Sequence, residues 1–82
     1  MIGFSERAIE ALARSAAAAR RFNPDARLRI APDAAGVVLS ITDGPEPGDD
    51  TVERDGFTLY LASGLDGTLD IAEPHDTFVI RD

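Results

Sequence analysis

The chain has 82 residues, with 8 arginines, no lysine, 15 acidic residues and no cysteine, and its formal charge is −7. That length is one small domain, and the missing cysteines exclude disulfides, thiolate nucleophiles and thiolate-held zinc or iron–sulfur clusters. Net acidity argues against non-specific binding to nucleic acid or to an anionic membrane surface.

Residues 1–6 show no basic segment followed by an apolar stretch, so no signal peptide is expected. No apolar run approaches the ~20 residues of a membrane span, and the expected location is cytoplasmic. Residues 5–21 predict an amphipathic helix. Ser5 is its N-cap, Ile9, Leu12, Ala16 and Ala19 form its apolar stripe, and Arg7, Arg14 and Arg21 form a polar face. Glu10 and Arg14 have the spacing of a helical ion pair. Asn23-Pro24-Asp25 ends the helix, because proline disfavours helical backbone in the residue before it.

From residue 26 the hydrophobic period is two. Strands are predicted over 26–31, 36–42, 51–54, 57–62, 68–72 and 77–81. Arg27 and Arg29 alternate with Leu28 and Ile30, so one face of that strand should be solvated. Residues 43–50 interleave Gly and Pro with acids and predict a loop. Asp55-Gly56 predicts a hairpin turn. The aromatics Phe4, Phe22, Phe57, Tyr60 and Phe78 are expected in or near the core. The fold class is therefore α+β, a single domain with an N-terminal helix packed on a small antiparallel β-rich body. Charge is unevenly spread: residues 1–31 carry +3 and residues 32–82 carry −10.

No catalytic constellation emerges. The one histidine, His75, has no G-x-S-x-G serine to serve and reads as a turn residue. With Asp76 it is a weak candidate metal ligand, and Asp33 is a further carboxylate for such a site. Asp43, Glu46, Asp49 and Asp50 do not follow the calcium-loop pattern of an EF-hand and read instead as an acidic contact surface. No phosphate-binding glycine motif is present, and no aromatic accompanies Arg27 and Arg29 on their strand to stack a base.

Taken in order, several blocks resemble the HesB/IscA-like family of A-type iron–sulfur cluster carriers. Phe4-Ser5-Glu6-Arg7-Ala8 is similar to the start of the family's first helix, and Arg27-Leu28-Arg29-Ile30 to its first core strand. Gly48-Asp49-Asp50, with Asp55-Gly56-Phe57-Thr58-Leu59-Tyr60-Leu61, resembles its acidic loop and the hairpin that follows. Gly67-Thr68-Leu69-Asp70-Ile71 and Asp76-Thr77-Phe78-Val79-Ile80 resemble later strands. The family's ligands are cysteines, one after the first core strand and two near the C-terminus. Here the corresponding turn is Asp33-Ala34-Ala35-Gly36, with Ala34 at the ligand position, and the sequence ends at Asp82, ahead of the expected pair. The resemblance implies a HesB-like fold. Its implied function is a non-catalytic protein, not an enzyme and without a cofactor, that binds iron–sulfur assembly proteins. Self-association is compatible with it, since relatives commonly self-associate. The alternative is a metal or small-ligand binder using His75 and carboxylates.

Overall fold

A computed structural model describes residues 2–34, 36–54, 56–74 and 77–81. It opens on a short strand, β1 (Ile2–Phe4), which the sequence reading missed because three residues carry too little periodicity. The helix α1 (Glu6–Phe22) follows. Ser5 caps it in extended conformation, its Oγ accepting the Ala8 N–H at 3.1 Å. The same hydroxyl donates to Asp70 Oδ1 at 2.7 Å, and the Ser5 N–H donates to the Leu69 carbonyl at 2.9 Å. One residue thus starts the helix and ties it to the sheet beneath. At the far end the Asn23 N–H donates to the Ala19 carbonyl.

The buried helical residues are Ala8, Leu12, Ala16 and Ala19. Ala8 takes the place expected for Ile9, which is only half-buried. Three of these four are alanines, so the helix backbone can sit close to the sheet. Among the described residues no ion pair joins Glu10 to Arg14.

The remaining strands are β2 (Arg27–Asp33), β3 (Gly36–Thr42), β4 (Asp50–Arg54), β5 (Phe57–Leu61), β6 (Gly67–Ala72) and β7 (Thr77–Arg81). They form two sheets, β1-β6-β7 and β3-β2-β5-β4. Both sheets are mixed rather than purely antiparallel as expected: β1 runs parallel to β6, and β2 runs parallel to β5. Alternation reveals which face of a strand is buried, not the direction of its neighbour, so the parallel pairs were not readable. The parallel register sets Leu28 opposite Leu59 and Ile30 opposite Leu61. These residues, with Leu12 and Leu69, form the centre of the core. The sheets approach each other at β3 and β7.

Phe57 is buried, and Phe4 and Phe78 pack against the core. Phe22 does not: it is 91% exposed. It continues the helical stripe three residues past Ala19, but at the last helical residue it is left uncovered. No helix among the described residues is long and apolar enough to cross a membrane.

Asp70 on β6 is bonded both to the helix cap Ser5 and to Arg81 on β7. The Ser5 hydroxyl, the Ile71 backbone N–H and the Arg81 guanidinium together hold its carboxyl at a pKa of about 2, against an ordinary 3.8. A pKa depressed in the folded state stabilises the fold fully above the unfolded value. That stabilisation is lost as pH falls through 4 toward 2. Thermal melts across this window should show a steeper acid decline for the native chain than for Asp70→Asn. Parallel declines would sink the assignment.

Candidate functional site

The acidic loop begins where β3 ends and runs to Asp49; Asp50, expected in the loop, is the first residue of β4 and pairs with Leu61. The Thr42 hydroxyl donates to the Gly44 carbonyl at 2.9 Å and turns the chain out of the sheet. The loop is then pulled back onto the protein by one arginine. Arg29 Nε donates to Asp49 Oδ2 at 2.9 Å and Arg29 Nη2 to Asp49 Oδ1 at 3.0 Å, a two-pronged pair. Asp49 Oδ2 also accepts the Glu46 N–H at 2.9 Å, while the Asp49 N–H donates to the Glu46 carbonyl at 3.0 Å. The Asp49 side chain is 1% exposed and that of Arg29 16%.

This overturns the expectation that Arg29 sits on a solvated strand face. Its guanidinium is spent on the loop. The hydrogen bond from Arg29 holds the Asp49 carboxyl below its ordinary range, helped by the Glu46 N–H. The hydrogen bond to Asp49 raises Arg29, against the desolvation that opposes its charge.

The four acids therefore separate into two roles. Asp49 is internal and acts as the loop's anchor. Asp43 and Asp50 are exposed, and Glu46 faces solvent with its carboxylate 3.5 Å from Arg29 Nη1. A cation in a central strand, flanked by Leu28 and Ile30, was the available sign that a buried acid must meet it.

Asp33 and Gly36 pair across the β2–β3 hairpin, and Ala34 lies exposed in its turn. Ala35 lies outside the described residues, as do His75 and Asp76. Among the described residues no three His, Cys, Asp or Glu side chains are grouped to hold a metal ion. The sequence offers no thiol at any position, so the residues present do not fit a thiolate-held cluster.

The sequence reading missed an apolar surface. Phe22 and Ile41, the latter 64% exposed, line a groove of about 480 Å³ together with Ala18, Leu28 and Leu39. Both residues fit the period of their elements, so only the extent of the opposing layer distinguishes them from core. Elsewhere Arg7 pairs with Glu73, and Arg20 donates to the Gly56 carbonyl at 3.1 Å. Both contacts join the basic helix to the acidic remainder.

No family model and no curated protein matches the sequence. Among solved structures, the chain is similar to IscA with its 2Fe–2S cluster, at 16% identity, with 100% of each chain covered and a TM-score of 0.44.

Proposed function

We propose that this chain is a non-catalytic, cytoplasmic protein-binding module, a cysteine-free counterpart of the A-type carriers, that docks on iron–sulfur assembly proteins through its 43–50 loop. The observation that carries the reading is the anchoring of that loop by Arg29 and Asp49. An ordered loop presents Asp43 and Glu46 without the entropic cost that a floppy acidic segment would pay on binding. The absence of cysteine supports a role other than carrying the cluster.

Two measurements test this. The immobilised chain is exposed to purified cluster-assembly proteins, alongside a variant carrying Asp43→Asn and Glu46→Gln. Specific binding that weakens about fivefold in the variant is expected, since rim charges tune association without dominating it. Absence of binding, or binding indifferent to the loop, would overturn the proposal. Anaerobic reconstitution with iron and sulfide is expected to yield no stoichiometric cluster, and a stoichiometric one would equally overturn it.

A further inference from the structure

Among the described residues, the strand β4 closes one side of its sheet, paired to β5 and with its other edge unpaired. Its sequence is Asp50-Thr51-Val52-Glu53-Arg54, and every residue but Val52 is exposed. Among the described residues neither Asp50 nor Arg54 has an ion-pair partner. The Arg54 guanidinium lies 5.6 Å from the centroid of the Phe4 ring. Charged edge strands normally prevent edge-to-edge pairing. Here the charges are arranged so that one pairing is favoured.

We infer that β4 is a self-pairing edge: two copies of this chain join β4 to β4 antiparallel about a twofold axis through Val52. In that register Asp50 faces the partner's Arg54, Thr51 faces the partner's Glu53, and Val52 faces the partner's Val52. The Asp50–Arg54 pair is therefore formed twice, once on each side of the axis, as an isologous interface requires. Period-two alternation puts Asp50, Val52 and Arg54 on one face, where cross-strand neighbours interact. The alternatives are disfavoured. A parallel in-register pair opposes Asp50 to Asp50 and Arg54 to Arg54. A two-residue slip sets a charge against Val52.

Space is available on that face. A cleft of about 480 Å³ borders β4, lined by Ile2, Phe4, Leu61 and Leu65 along with Val52 and Arg54. The other edges are less suited: β1 has three residues, and β3 and β7 lie against each other. Pairing would join two four-stranded sheets into one continuous sheet.

A five-residue edge is a small interface, so the dimer is expected to be weak, with a dissociation constant of about 10–100 µM. Sedimentation equilibrium from about 10 µM to 1 mM should show the mass rising from 8.7 kDa toward twice that value. Asp50→Arg and Arg54→Asp each place like charges together at both symmetric positions, and each should weaken the dimer by about tenfold or more. The double variant Asp50→Arg/Arg54→Asp reverses both partners and should restore it to within about threefold. Circular dichroism checks that each variant is folded.

A second test does not depend on charge. Because the chain has no cysteine, Val52→Cys introduces one thiol per copy, directly opposite its counterpart. Antiparallel Cα partners are about 4.5–5.5 Å apart, within disulfide range. Mild oxidation should give a covalent dimer much faster than for Thr51→Cys, which faces Glu53. A native chain that stays monomeric at 1 mM overturns the inference. So do single reversals without effect, a double variant that does not recover, or equal cross-linking at positions 51 and 52. No assembly protein is needed, so failure here is separable from failure of the docking proposal.

Discussion

Replacing Leu59 by alanine is expected to remove about 2–5 kcal/mol of stability, against a total of about 4–12 kcal/mol for a domain of this size. Leu59 is fully buried at the middle of β5, the strand between β2 and β4. It lies opposite Leu28 on one side and Val52 on the other. No neighbour can close the resulting cavity without disturbing both pairings, so little of the loss should be recovered by relaxation. In urea the midpoint should fall by roughly a third or more at unchanged slope, because the surface exposed on unfolding hardly changes. Val38→Ala is the control: its side chain is partly exposed on β3, and its effect should stay within about 0.5 kcal/mol. Equal losses for the two substitutions would show that the core is not organised around β5.

Gly67→Ala should be comparably severe for a different reason. Gly67 begins β6 with φ +103°, and a Cβ there would lie 2.6 Å from the Arg81 carbonyl oxygen and 2.9 Å from Ile80 Cγ2. The first of these is backbone on the paired strand β7 and cannot swing aside. Backbone strain of about 1–3 kcal/mol adds to the displacement of a strand that carries Asp70 and Leu69. A loss of about 3 kcal/mol or more is expected. Gly64→Ala separates the two contributions, since Gly64 also has positive φ (+89°) but open space around its would-be Cβ. It should lose only about 1 kcal/mol. Chemical denaturation of both variants checks this, and equal losses would refute the steric argument.

These two positions illustrate how differently parts of the fold were legible. Leu59 was readable: Phe57, Leu59 and Leu61 alternate with Thr58, Tyr60 and Ala62, and alternation is a local consequence of strand geometry. The helix was readable for the same kind of reason, since its cap at Ser5 and its Ala–Leu stripe are encoded within a few residues. Gly67 was visible only as the residue ahead of the predicted strand 68–72. Its intolerance of a side chain arises from β7, which arrives ten or more residues later.

The candidate site divides in the same way. Residues 43–50 were legible as an acidic loop, because Gly and Pro among carboxylates can form neither a helix nor a central strand. Which acid faces solvent was not. Asp49 turns inward because the parallel pairing of β2 with β5 brings Arg29 beneath the loop, twenty residues away in sequence.

The self-pairing edge also needs both levels. The acid–apolar–base spacing of Asp50, Val52 and Arg54 stands in the sequence, but any strand could carry it harmlessly in mid-sheet. Sequence alone determined the class of fold, the helix, the existence of six strands and the impossibility of thiolate ligation. Those follow from local periodicity and from composition. Tertiary structure alone decided that Phe22 is uncovered, that Arg29 and Asp49 neutralise each other, and that β4 is left at an edge. Each of these depends on which segment lies opposite, which is set by long-range pairing rather than by neighbours along the chain.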